Sequence, residues 1–340
     1  MRCARAVLLL SCSASIWLSS CNSEPTRESA FSPAKPGFDI GQQGPACGPN
    51  LSHPGGLIVD RVDVPGTFGV AVRDDGLTYF TEGSGVGITS TSTRTVDGFI
   101  PTGDVPTGLD FAPDGATAYV TNQLSSNVGV IDVATAQQVA TISVAPANPF
   151  VVRVSPDGAQ LFISTNTTTV YIADTRTRAI IGSVEVGYAP NAFAVHPDGR
   201  IIYVSAFVGG TVTEVDLFTH QVLRTFSVGG APQDMAVSRD GKRLYVAAEN
   251  GFLDEITLLT GQVTAQIPLN GTAFGIGVTP DDNQAYVSLV YEGQVKIFNL
   301  QSRRLSQTLQ VDGYPRRIAF SQQGHIGAIA NQSGYITFVR

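Results

Sequence analysis

Apolar residues recur along this chain in short runs of alternate positions, and each run stops at the same kind of turn. The turns are Asp75-Gly76, Asp114-Gly115, Asp157-Gly158, Asp198-Gly199, Asp240-Gly241, Asp281-Asp282 and Gln323-Gly324, spaced 39 to 43 residues apart. Four residues before the second residue of each pair stand Val72, Phe111, Val154, Val195, Val237, Val278 and Phe320. Two residues earlier come Val70, Leu109, Val152, Phe193, Met235, Ile276 and Ile318. Period two is the spacing of a strand whose alternate side chains share a face. Four residues after the turn an aromatic opens a second strand at Tyr119, Phe162, Tyr203, Tyr245 and Tyr286; it has slipped to Tyr79 in the first repeat and gives way to Ala328 in the last. A third strand leads to a polar turn with a hydroxyl three residues on, as at Asp132 and Thr135, Asp174 and Thr177, Asp216 and Thr219, Thr257 and Thr260, and Asn299 and Ser302. Short side-chain oxygens at such places bond the turn backbone. A fourth strand, such as Gln138 to Val144 or Gln221 to Val228, closes the unit.

Four short antiparallel strands per repeat, seven times over, predict an all-β fold: a seven-bladed β-propeller of four-stranded antiparallel blades. The last repeat runs out after its third strand, Tyr335 to Val339. Leu57 to Val64, ahead of the first turn, reads like Arg304 to Val311 and supplies the missing strand. Pairing it with Tyr335 to Val339 closes the ring through the last blade and leaves no open sheet flank.

The segment Pro113-Asp114-Gly115, followed by Tyr119-Val120-Thr121-Asn122, resembles the YVTN β-propeller family, with weaker copies elsewhere, over about Gly56 to Arg340. The resemblance implies the propeller fold. It leaves function open, because similar propellers serve as surface-layer modules, as extracytoplasmic binding proteins and as scaffolds for enzymes.

The N-terminus reads as an address. Met1 to Ser20 carries Arg2 and Arg5, an apolar run from Ala6 to Trp17 and small residues before Cys21, the layout of an export signal. Leu18-Ser19-Ser20-Cys21 resembles the lipobox of bacterial lipoproteins, which implies lipid on Cys21 as the first mature residue. Cys47 is then the one thiol left, so no intrachain disulfide is expected. Residues 21 to 55 combine that cysteine with a stretch rich in Pro, Gly and Ser that lacks apolar periodicity, the composition of a flexible tether. The propeller is expected to occupy 56 to 340. Charged residues are only 14% of the chain, too few for helical bundles, and the net charge of -7 disfavours a general nucleic-acid partner.

No catalytic constellation stands out. The four histidines, His53, His196, His220 and His325, share no metal-ligand spacing, and no Cys-x-x-Cys-His is present, so neither a metal nor a cofactor is expected. One charged pair breaks the repeat: Asp110 and Arg153 fall at the same depth in neighbouring blades and are expected to pair between sheets. The innermost strands should begin around a channel mouth, gathering Phe68, Phe150, Asn191, Gln233, Phe274 and Arg316, with Asp234 and Arg317 one step further in. Loops after the second strands add Glu249 and Tyr291. Adjacent Arg316 and Arg317 stand where other repeats have uncharged residues or Asp, and a guanidinium fork suits a carboxylate or phosphate. The expectation is an exported, lipid-anchored binding module of the cell envelope, on the periplasmic or outer-surface side. It would be held to the membrane by its lipid and would bind an anionic small molecule, a peptide or an envelope protein at this mouth. The alternatives are a propeller-scaffold enzyme of lactonase, lyase or dehydrogenase type, and a surface-layer or adhesion protein.

Overall fold

A computed structural model describes residues 51–52, 58–321, 323 and 326–339. Six sheets each contain four consecutive antiparallel strands, and the seventh unites the two ends of the chain. Blade 2 is typical: from the axis outward it runs Pro106–Phe111, Thr117–Asn122, Asn127–Asp132 and Gln137–Ser143. Blade 7 consists of Pro315–Phe320, Gly327–Asn331, Tyr335–Val339 and then Ile58–Asp63. The expected closure is therefore present, with Asp60 opposite Phe338 and Asp63 opposite Tyr335. The Arg61 guanidinium lies 3.6 Å over the Tyr335 ring and adds a cation-π contact across the seam. Leu51–Ser52 pairs outside Ile58–Asp63 as a short fifth strand.

Burial follows blade stacking. Thr117–Asn122 is covered almost throughout, because both faces of a middle strand meet neighbouring sheets. Gln137–Ser143 alternates between covered and exposed residues, as an outermost strand must. The core is accordingly divided into wedges between blades: Tyr245 and Leu253 of blade 5 pack with Ala273, Ile276 and Val287 of blade 6. Each wedge buries apolar surface from two repeats, so no blade holds its core alone.

The turn chemistry read from the sequence is present in the backbone. Gly115, Gly158 and Gly241 have φ of 67°, 73° and 68°, the left-handed region that glycine occupies without a Cβ penalty, and Asp282 takes φ 57° where the glycine is replaced. In the polar turns, Asp174 Oδ1 accepts from the Thr177 N–H at 2.6 Å and from its hydroxyl at 2.8 Å. Asp132 with Thr135 and Asn299 with Ser302 repeat the arrangement.

The second-strand hydroxyl has a distinct task. The innermost strand slips register near its start, as between Pro106 and Leu109, which leaves a backbone N–H without a ladder partner. Thr121 Oγ1 accepts the Gly108 N–H at 2.7 Å and donates to the Phe150 carbonyl of the next blade at 2.9 Å. Ser288 does the same for Gly275 N–H and the Arg316 carbonyl, each at 2.7 Å. Asn122 and Asn331, which end their strands, are fully buried and bond the incoming connections at Thr102 and at Asp312 and Tyr314.

Candidate functional site

The channel is closed at the end where the innermost strands begin. Phe68, Phe150 and Phe274 come from blades 1, 3 and 6, yet their rings meet: Phe68 lies 5.5 Å from Phe150 and 5.3 Å from Phe274, both edge to face. Phe150 and Phe274 are 2% and 0% exposed. Such aromatic contacts are worth about 0.5–1.5 kcal/mol beyond the area they bury. Arg316, also 2% exposed, places its guanidinium 4.6 Å over Phe274 and 5.4 Å over Phe68, and donates Nε–H and Nη2–H to Gln332 Oε1 at 3.0 and 2.6 Å.

Arg317 runs across the channel beneath this plug. Its Nη1 lies 2.9 Å from Asp234 Oδ1 and donates to the Gln233 carbonyl at 3.3 Å, and Nη2 donates to the Asn191 carbonyl at 2.9 Å. Blades 4, 5 and 7 are thereby joined by one side chain. Gln233, wholly buried, extends the network by donating to Glu249 Oε1 at 2.6 Å while its carbonyls accept from the Asn191 amide. Of the residues expected at the mouth, Phe68, Phe150, Asn191, Gln233, Asp234, Glu249, Phe274, Arg316 and Arg317 are thus brought together. Tyr291 is 59% exposed on its loop. Cys21 lies outside the described residues.

Both guanidinium groups, expected to offer a fork to an anion, are engaged, Arg316 within the plug and Arg317 within the strut. The free volume lies elsewhere. A cavity of about 430 Å3 extends along the innermost strands on the other side of Arg317, reaching Pro280 and Ser321 at the Asp-Gly turn end. Its wall includes a ring of small residues, Ala71, Ala236, Gly277 and Ala319, among larger apolar ones such as Val72, Phe193 and Met235. Small side chains at the same place in repeat after repeat were the available signal, since they keep a channel from filling.

Two ion pairs stand in this wall. The deeper is Arg317 with Asp234. The other is the expected pair: Arg153 Nη1 approaches Asp110 Oδ1 at 3.4 Å, and Asp110 Oδ2 accepts the Val154 N–H at 2.9 Å. Burial pushes the Asp110 carboxyl above the ordinary range, against the pull of Arg153. Among the described residues no three His, Cys, Asp or Glu side chains are placed to hold a metal ion. His196 bonds the Gly241 carbonyl and Asp198, and His220 bonds Gln160 and packs on Phe162.

Residues 88–218 match the family model described as "Lactonase, 7-bladed beta-propeller". A hydrazine synthase chain of Kuenenia stuttgartiensis is similar in structure, with a TM-score of 0.75 and 21% identity over 82% of this chain and 96% of that one. At that identity the likeness is one of fold. No curated protein matches the chain.

Proposed function

We propose that this is an exported, lipid-anchored β-propeller of the cell envelope that binds a small molecule in its central cavity. The observation that supports the reading is the blind channel. Its strand-start end is filled by three phenylalanines and two engaged arginines, and its other part keeps about 430 Å3, within the range of small-molecule sites. Export and anchoring rest on the signal-like start and on Leu18-Ser19-Ser20-Cys21. The test is mass spectrometry of protein purified gently from its native source, compared with Ala236→Leu, whose larger side chain takes up cavity volume. A small molecule that accompanies the wild type and is lost from the variant supports the reading; identical spectra would overturn it. Cys21→Ser tests the anchor separately, through release of the protein from the membrane to the soluble exported fraction.

A second reading, a propeller-scaffold enzyme, is favoured by the family match over residues 88–218 together with Asp110. A carboxyl held above its usual range on a cavity wall is suited to donating or accepting a proton. Turnover of a lactone panel by the wild type and its loss in Asp110→Asn would move the assignment to hydrolysis.

A further inference from the structure

Resting on the cavity reading, we infer that Arg153 is the receptor for the carboxylate of a small organic acid whose apolar tail lies along the alanine and glycine wall. The two arginines of the cavity differ in what they have left to offer. Arg317 is only 12% exposed and meets three oxygens at 2.9 to 3.3 Å. Arg153 is 42% exposed and has one carboxylate contact, at 3.4 Å, outside the range of a strong charge-assisted bond. Its Nε is buried and faces no acceptor among the described residues. A guanidinium carries five N–H donors in a fixed fork, so most of the Arg153 fork is uncommitted.

Asp110 is poorly placed to fill that fork. Its Oδ2 is held by the Val154 N–H, which anchors the carboxylate to the backbone of the blade that carries Arg153. Turning it for two-point contact would break this bond. A carboxylate arriving through the cavity carries no such restraint and can take a paired geometry on the two Nη groups, since Nε is buried. At the same depth the opposite wall is Ala236, Gly277 and Ala319, which offers no competing charge and suits a short hydrocarbon. At the deep end Arg317 and Asp234 neutralise each other, which leaves Arg153 as the cation that faces the ligand; Asp110 offsets part of its charge, so removing the Asp110 charge should strengthen the attraction.

The experiment titrates straight-chain carboxylates from butyrate to octanoate, phenylacetate, and the corresponding primary amides into the full chain, by calorimetry or ligand-observed NMR. The acids should bind the wild type more tightly than their amides. Arg153→Gln should weaken the acids at least tenfold and leave the amides unchanged, and Asp110→Asn should tighten the acids. Arg153→Lys keeps the charge but loses the fork; it should also weaken the acids, and serves if the glutamine variant does not fold. Ala236→Leu should weaken acids and amides together. Acids that bind wild type and Arg153→Gln equally, yet are lost in Ala236→Leu, would overturn the carboxylate assignment and leave the cavity reading standing. Failure of every acid to bind the wild type overturns the assignment as well, and the cavity reading then depends on whether native-source protein carries a neutral molecule that Ala236→Leu excludes.

Discussion

Arg317 and Asp234 meet across the axis of the ring, Nη1 to Oδ1 at 2.9 Å, although a whole blade stands between the strands that carry them. The intervening blade contributes Gly275 at this depth, and a Cβ there would run into the Arg316 carbonyl. Asp234 also accepts the Ile276 N–H at 3.3 Å, so the same carboxylate holds blade 6 and the strut that passes it. With the phenylalanine plug, the strut is one of the contacts that cross the ring, joining blade 7 to blades 4 and 5.

Breaking that pair leaves a carboxylate that is 13% exposed without its counter-ion. Removal of one partner of a buried ion pair costs about 3–5 kcal/mol, and the residual exposure places Arg317→Met near the lower end. Asp234→Asn combined with Arg317→Met should recover much of the loss. Differential scanning calorimetry of both variants checks this: a double mutant no more stable than Arg317→Met would show that the guanidinium acts through the Asn191 and Gln233 carbonyls instead.

The repeat was legible because it is local. An Asp-Gly turn, an aromatic four residues on and a polar turn with a hydroxyl three residues later each act within one blade, and the unmatched third strand at Tyr335 called for its partner near Leu57. The plug was only half legible. Phe68, Phe150 and Phe274 could be named from their register, but whether rings from blades 1, 3 and 6 touch depends on the radius of the channel, which no single repeat encodes. The partners of Arg317 lie 84 and 126 residues earlier, so nothing near it in the chain marks it as engaged. The volume at the turn end was missed for a related reason: Ala71, Ala236 and Ala319 read as ordinary strand alanines until the seven repeats are arranged as a ring.

Thr121→Val keeps the side-chain volume and removes the oxygen that receives the Gly108 N–H and donates to the Phe150 carbonyl. An unsatisfied buried backbone group costs about 1–3 kcal/mol, and Thr121→Ser should restore most of it. Chemical denaturation of the three proteins decides between this account and simple packing, under which valine would be the milder change.

Glycines at the innermost strands allow adjacent blades to approach. Gly108→Ala would put a Cβ 2.7 Å from Val151 Cα, whereas one at Gly98 meets nothing nearer than 3.5 Å. The first should lose about 1–3 kcal/mol as an overpacked site, and the second should be nearly neutral. Equal melting temperatures would mean that the blades have room to part.

Ring closure makes a prediction about cooperativity. Removing Leu57 to Val64 exposes the flank of Tyr335–Val339 and discards the Arg61 contact with Tyr335. The shortened protein should unfold over a broad range or aggregate through that edge. Removing residues 22–50 should leave the transition sharp. Size-exclusion chromatography and calorimetry report both, and a sharp transition in the closure deletion would mean that the first strand is dispensable.

Two buried aspartates should give opposite pH dependences. Asp216 is held down to about 2 by the Thr219 N–H, helped by the Phe218 N–H and Arg200. A carboxyl whose folded value lies below its unfolded one, near 4, stabilises the fold above that value and loses the contribution as pH falls toward 2. Asp254 is the reverse case: it is fully buried, Gln266 reaches one oxygen at 3.0 Å, the other has no partner among the described residues, and burial raises the group. Its protonated form is favoured in the fold, so the cost of charging it appears as pH rises through the unfolded value and grows until the folded one is passed. Relative to wild type, Asp216→Asn should therefore be most destabilised near neutral pH and converge at pH 2. Asp254→Asn should gain most near neutral pH and lose its advantage below pH 4. Melting curves of the three proteins from pH 2 to 7 measure both differences, and two differences that move in parallel with pH would refute the assignment of one carboxylate as bonded and the other as stranded.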